Sequence, residues 1–475
     1  MKNIITKLAA LLLFLFFIHT SYPQQTIDGS WSGAISIMGS ELGIDVRFKT
    51  DTDSLRATID IPQQNAKDLK LIHVEYTSPK VYFELPAGTS TAVFDGKLEG
   101  DSIKGKFTQA GMEGEFHLVK GELKTEQKEE ITELLPYNSE EVTFTNGDIK
   151  FAGTLTIPKT EGKHPTVVMI TGSGPQNRDE ELFGFKPFKI IADYLTRNGI
   201  AVLRYDDEGV GGSTGKSVSQ YTTEDFAGDV LEAVKFLKTR NDINPEQIGL
   251  IGHSEGGIVA PLAASKSKAI AFIVLMAGTG VKGIDILKEQ AKLIMEANKT
   301  PEEDIKANED IIDKGCKLLE SNGNLEDLRP EVEKMELMSY NNLPEEKKNA
   351  IKDKDEYIKT MVDAKIKQFS SPWMKFFLSY DPAPTLEKVK CPVLMLFGEL
   401  DLQVPPAQNK APMEKALQEG SNKDYMSVVF PKANHLFLSA VTGSPEEYTS
   451  LKKEFVPDFL DTIKNWITQR VTVLK

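Results

Sequence analysis

Two serines in this chain stand in a Gly-x-Ser-x-Gly pattern: Ser254 in GHSEG (252–256) and Ser213 in GGSTG (211–215). The pattern suits a sharp turn between a strand and a helix, which lifts a serine hydroxyl towards a substrate. A hydroxyl is a poor nucleophile until a base takes its proton, and the base needs a carboxylate to fix its tautomer. The chemistry in question is acyl transfer, and the neighbours decide which serine suits it. GHSEG follows the apolar run QIGLI directly and precedes GIVAPLAA, a helix start. GGSTG has no strand against it, because DDEGVG intervenes and SVSQYTT follows. Ser213 is therefore placed in a loop after IAVLRY, and Ser254 is the candidate nucleophile.

Beyond Ser254 the chain has one further histidine, His435, in FPKANHLF just past an apolar run. It is the candidate base. His253 sits inside the turn, where it cannot fold back onto Ser254, and is assigned to packing. Asp401, in GELDLQVPP after CPVLMLFG, is the candidate carboxylate, with Glu399 as a nearby alternative. Asp424 precedes its strand and Asp381 occupies a turn, so both are placed away from the site. His73 and His117 lie in or beside strands and are given structural roles. An oxyanion needs two donors. The turn geometry offers the backbone N–H of Glu255, and the loop after PTVVMI offers that of Ser173, flanked by Gly172 and Gly174. No H-E-x-x-H is present, and two cysteines and six histidines do not support a zinc site. GVGGSTG lacks the G-K-[ST] of a phosphate loop. No cofactor or metal is expected.

Reactive groups collect at the carboxyl ends of strands in open α/β sheets, so these residues require such a sheet beneath them. From about residue 140 the sequence supplies it. EVTFTNGDIKFAGTLTIP gives two strands around Asn-Gly. The apolar runs PTVVMI, IAVLRY, IGLI, AIAFIVLMAG, CPVLMLFG and MSVVFP then alternate with helical stretches. Such runs fit strands buried on both faces, which gives an α/β fold with a doubly wound, mostly parallel sheet. Phe226, Val230, Val234 and Leu237 recur at helical spacing, and Thr222 and Asp225 resemble a capping box. Residues 281–380 interrupt the alternation with Lys- and Glu-rich helices around 284–299, 301–320 and 345–369. They read as a lid, or alternatively as a separate helical interaction domain. Met361, Trp373, Phe376 and Phe377 are candidates to line an acyl pocket or simply to pack.

Residues 26–121 carry period-2 alternation throughout, in ELGIDVRFK, SLRATIDI, KVYFEL and TAVFDGKLEGDSIKGKFTQAG, with Asp-Gly and Glu-Gly-Asp turns. This predicts an all-β domain, a small barrel or sandwich loosely similar to a lipocalin barrel. It would bind a lipid or glycan, or brace its neighbour. Residues 122–139 form a charged linker. At the start, Lys2 and Lys7 precede the apolar run Leu8–Ile18 and a polar exit, the pattern of a signal peptide over residues 1–24. The expected location is periplasmic or extracellular, with a retained anchor as the alternative and no membrane span in the mature protein. Cys316 and Cys391 fall in different elements, so no bridge is inferred. The excess of 70 acidic over 56 basic residues, net −14, argues against nucleic acid as partner.

The order Ser254, Asp401, His435 is that of an α/β hydrolase. With GHSEG, TGSGPQNRDE (171–180), RYDDEGVGGSTG (204–215), FGELDLQVPP (397–406) and NHLF (434–437), residues from roughly 140 to 470 resemble the α/β-hydrolase superfamily, with a core over 140–280 and 381–475. The likeness is to bacterial carboxylesterases and serine-aminopeptidase-like hydrolases in particular. The N-terminal β domain lies outside the resemblance. Glu208 stands where a common version of the loop carries Arg, and Thr171-Gly172 where the family has His-Gly. The resemblance implies a serine hydrolase acting on small or medium acyl esters, the small-molecule partner. Cleavage at peptide termini is the alternative, and a retired hydrolase scaffold acting as a binding protein is the alternative outside enzymes. Oligomeric state is not readable from these residues.

Overall fold

The computed structural model describes residues 26–473, apart from 38–39, 52–53, 62–65, 88–89, 110–111, 122–134, 322, 344, 346–347, 349–350 and 352. The signal-peptide pattern and most of the charged linker lie outside the described residues. The chain divides into two compact units at about residue 125, and each is described by itself.

In the N-terminal unit, nine strands between Gly29 and Lys120 form one sheet. The first strand (Gly29–Ile37) lies between the second (Ser40–Asp51) and the last (Met112–Lys120). This leaves Ala66–Lys70 and Ile72–Thr77 at the two margins. These margins are consecutive in the chain, joined through Leu71, whose N–H donates to the Ala57 carbonyl at 3.0 Å. The sheet is thereby nearly closed. Alternation puts Phe48, Phe83, Phe94, Phe107 and Phe116 inside, all nearly inaccessible to solvent. Their rings interlock, Phe83 stacking on Phe94 at 4.5 Å and meeting Phe116 edge-on at 5.8 Å. The interior is packed with side chains.

The second unit is built on eight strands: β1 (Tyr137–Asn146), β2 (Ile149–Pro158), β3 (His164–Ile170), β4 (Ala201–Tyr205), β5 (Ile243–His253), β6 (Ile273–Met276), β7 (Val393–Gly398) and β8 (Tyr425–Phe430). Their spatial order is β1-β2-β4-β3-β5-β6-β7-β8. The Asn146-Gly147 turn closes the antiparallel β1–β2 hairpin, with Gly147 at φ +57°. From β4 onward every pairing is parallel.

Because side chains alternate across a strand, each buried run feeds two cores. Val168, Ile170, Leu203, Leu250 and Leu275 pack beneath the helices Thr223–Lys238 and Gly256–Lys266. Val167, Met169, Val202, Ile251 and Val274 pack beneath Pro187–Arg197 and Phe459–Val473. Each fully buried aliphatic side chain contributes about 1.5–3 kcal/mol, so both faces must be covered. The capping box is present: the Thr222 hydroxyl accepts from the Asp225 N–H at 3.3 Å, and the Asp225 carboxylate accepts from the Thr222 N–H at 2.8 Å.

The insertion between β6 and β7 contains the helices Gly283–Ala297, Glu302–Glu320, Arg329–Asn342, Lys354–Phe369 and Pro372–Ser379. Arg329–Asn342 is one the sequence pattern does not give. Lys354–Phe369 starts at the Asp353 cap, whose side chain accepts from the N–H groups of Asp355 and Glu356.

Candidate active site

The elbow begins where β5 ends. Ser254 has φ +53°, a left-handed backbone that a side chain adopts only under restraint. Its N–H donates to the Met276 carbonyl and its own carbonyl accepts from Gly257, both at 2.8 Å, which fixes the turn from two sides. The flanking glycines are obligatory. A Cβ on Gly252 would lie 2.0 Å from the Gly256 carbonyl oxygen, and one on Gly256 would lie 2.3 Å from that of Ile170.

His435 follows β8 and is buried, with Nδ1 2.8 Å from Asp401 Oδ2. Asp401 follows β7; its Oδ1 accepts from the N–H groups of Gln403 and Val404 at 2.8 and 2.9 Å. Burial raises the Asp401 carboxyl, but His435 and these N–H donors outweigh it and hold it below the usual carboxylate range. Nδ1 is occupied by Asp401, so Nε2 is the nitrogen left for other work. The alternatives fall elsewhere. Glu399 is exposed and accepts from the Lys432 N–H, Asp424 pairs with Arg470, and Asp381 caps the Ala383 N–H.

Ser254 and His435 line one cavity of about 470 Å³ with Ser173 of the β3 loop and Leu287, Trp373 and Phe377 of the insertion. Met361 and Phe376 are not among its lining. The Ser254 hydroxyl has no hydrogen-bond partner among the described residues. Neither do the backbone N–H groups of Ser173 and Glu255, residues that line the same cavity.

Three buried carboxyls support this arrangement from beneath. Asp207 accepts from the Thr171 hydroxyl and the Gln176 N–H at 2.7 and 2.9 Å, and burial pushes it well above the usual range. Glu180 accepts from the Gly172 N–H at 2.7 Å. Glu255 takes hydrogen bonds from the Thr223 hydroxyl and the Trp373 indole N–H, each 2.7 Å from its Oε1. Burial pushes Glu255 up, and Thr223, Trp373 and the Ser173 hydroxyl oppose it without reversing it. Trp373, on the insertion, is thus tied to the residue after Ser254. It also lines a second, more open pocket of about 750 Å³ with Pro175, Val218 and Phe226.

The sequence pattern did not single out Glu180 or Trp373 for these contacts. Glu180 lies within TGSGPQNRDE, but nothing in its neighbours distinguishes a buried carboxylate from a solvated one. His253 does more than pack: its two ring nitrogens face Glu180 and the His435 carbonyl, both at 2.9 Å. Chemically, the arrangement offers a restrained hydroxyl, an imidazole oriented by a carboxylate, and two unengaged N–H donors around one cavity.

Residues 186–439 match a family described as serine aminopeptidase, S33. The esterase EstD of Thermotoga maritima is 27% identical over 424 residues, covering 88% of this chain and 86% of its own. That span exceeds the whole of the second unit, so the likeness reaches back into the N-terminal strands, beyond where the sequence motifs placed its limit. Among solved structures, an esterase of Pyrococcus furiosus covers 72% of this chain and 93% of its own at 16% identity and a TM-score of 0.43. Est1E from Butyrivibrio proteoclasticus, with ferulic acid bound, covers 70% and 99% at 17% identity and a TM-score of 0.40.

Proposed function

The chain belongs to the serine aminopeptidase S33 family of α/β-hydrolase-fold serine hydrolases, and we propose that it cleaves carboxylic esters of small or medium acyl chains. One observation carries this reading: a serine on a restrained elbow shares a cavity with an imidazole whose other nitrogen is bound by a buried carboxylate. In the proposed reaction the Ser254 oxygen attacks the ester carbonyl while His435 Nε2 takes its proton. Asp401 keeps the imidazole in the tautomer that receives the proton and stabilises the imidazolium. The negative charge developing on the carbonyl oxygen meets the N–H groups of Ser173 and Glu255. His435 then protonates the departing alkoxide, and water activated by the same base hydrolyses the acyl-enzyme.

The cavity of about 470 Å³ is sized for a small or medium substrate, and its insertion wall is mostly apolar (Ile286, Leu287, Trp373, Met374 and Phe377 beside Gln290 and Gln368), which suits an acyl chain. The likeness to an esterase over most of both chains supports the same choice. Amide cleavage at a peptide terminus is the second reading, favoured by the description of the matching family. The basic and apolar N-terminal run supports export from the cytoplasm as part of this proposal.

The test is a series of acyl esters of graded length beside aminoacyl and dipeptidyl amides, assayed with wild type and Ser254→Ala. Esters hydrolysed by wild type alone are the expected result. Amides cleaved much faster than esters would overturn the substrate class, and full activity in Ser254→Ala would overturn the mechanism.

A further inference from the structure

His253 stands beside the candidate nucleophile, buried but lining the same cavity, with an oxygen opposite each nitrogen. Nδ1 is 2.9 Å from Glu180 Oε1, and Nε2 is 2.9 Å from the backbone oxygen of His435. A carbonyl oxygen can only accept. Glu180 Oε1 already accepts the Gly172 N–H at 2.7 Å, which disposes it to accept again. A neutral imidazole has one N–H and would turn a lone pair towards one of these oxygens with no solvent to intervene. Two protons on the ring satisfy both contacts.

We propose that His253 and Glu180 form a standing imidazolium–carboxylate pair that positions the oxyanion loop and the base together and biases the base electrostatically. Glu180 holds the loop at Gly172, one residue before Ser173. His253 holds the backbone of His435. The two imidazole rings lie 4.8 Å apart, so the charge on His253 acts on the base through space. The other ionisable groups around this pair are Asp401 on the far side of His435, the buried carboxyls of Asp207 and Glu255, and the Tyr448 hydroxyl near the His435 backbone. Burial acts to lower His253, yet Glu180, the His435 carbonyl and Asp401 raise it above its ordinary value on balance. Both residues are positioning residues. The catalytic half of the inference rests on the function proposed above; the charge state does not.

Ring ¹⁵N spectra of the full chain decide the charge state without reference to activity. Among six histidines, one is expected to keep both nitrogens protonated at pH 8, where solvated imidazoles are neutral. The signal should survive replacement of each other histidine in turn and disappear in His253→Gln and Glu180→Gln. That assignment stands even where one variant fails to fold. Neutral signatures from all six histidines at pH 8, with the shared proton on Glu180 instead, would overturn the pair.

The pH dependence of ester kcat/KM tests the consequence. His253→Gln removes the positive charge and leaves Glu180, so the acid limb should move to higher pH by about 1–2 units. Glu180→Gln lets His253 become neutral, removes both charges, and should move the limb less. A lower kcat with an unmoved acid limb in both variants would reduce the pair to scaffolding. Activity persisting in Ser254→Ala would instead remove the catalytic reading while leaving the spectra valid.

Discussion

GHSEG and GGSTG are equal as patterns and opposite as structures. Ser254 faces a cavity with its hydroxyl unengaged on a left-handed backbone. The Ser213 hydroxyl is buried between two backbone groups, donating to the Asp206 carbonyl at 2.7 Å and accepting from the Ala152 N–H at 3.0 Å. The glycines explain why both stretches share a spelling. At 252 and 256 a side chain would strike backbone oxygens; at 211 and 215 it would strike the carboxylates of Asp206 and Glu208. The pattern records close approach, which a nucleophile elbow and a well-packed loop both need. Reactivity is decided by what faces the hydroxyl.

The largest contrast should come from the serines themselves. Ser254→Ala should lower ester kcat by roughly 10⁴–10⁶-fold. Ser213→Ala should keep kcat within a few-fold but lose about 1–2 kcal/mol of stability, because the Ala152 N–H is left without its acceptor. Steady-state assay and denaturant unfolding separate the two, and an inactive yet fully stable Ser213→Ala would erase the distinction. The carboxylates extend the comparison. Asp401→Asn should cost roughly 10³–10⁴-fold in kcat, whereas Glu399→Gln, on a surface turn, should change it little.

A third contrast is in pH and lies beneath the GGSTG loop. Burial, with Glu208 adding to it, raises Asp229 to about 8. The folded protein therefore holds a proton that the unfolded chain releases near pH 4, and stability falls as pH rises from about 4 to 8. Asp229→Asn keeps an acceptor for the Asn146 amide and removes this titration. Its stability relative to wild type should improve by about 1–3 kcal/mol between pH 5 and pH 8, measured by unfolding at both. An unchanged difference would show that Asp229 holds no extra proton in the folded protein over this range. The smallest effect belongs to Trp373→Phe. It retains an aromatic wall but loses the N–H to Glu255, and should raise ester KM a few-fold at a cost of about 1 kcal/mol.

The sheet that carries the site was legible because its inner strands are covered on both faces. PTVVMI and CPVLMLFG can hardly be anything else, and position at a strand's carboxyl end brought forward Asp401, after CPVLMLFG, and His435, after the partly exposed edge strand MSVVFP. Glu208 was visible as a departure from the related loop, but its partner Asp229 sits on a helix and gave no sign. Glu180 was hidden for a physical reason: its burial depends on His253, 73 positions away, and on a φ of +51° that no neighbouring residue announces. The Trp373–Glu255 bond spans 118 positions and is equally silent. The helix Arg329–Asn342 escaped notice because it is polar around most of its surface. It is recruited through Val332 against Ile358 and Val362, and the tertiary contact, more than its own periodicity, holds it.

The stem of the insertion bears on how the chain reaches this state. The Gly283 N–H meets the Tyr380 carbonyl at 3.2 Å, and a Cβ on Gly283 would lie 1.8 Å from the Phe377 carbonyl oxygen, so the two ends of the inserted helices touch. Neighbouring strands β6 and β7 are separated by more than a hundred residues, and closing a slack loop of that length is entropically costly. If the helices assemble first, their joined ends shorten the effective loop to residues 277–282 on one side and 381–392 on the other. Sheet completion then becomes a local event, and the insertion can be lengthened or exchanged without altering the register on which Ser254, Asp401 and His435 depend.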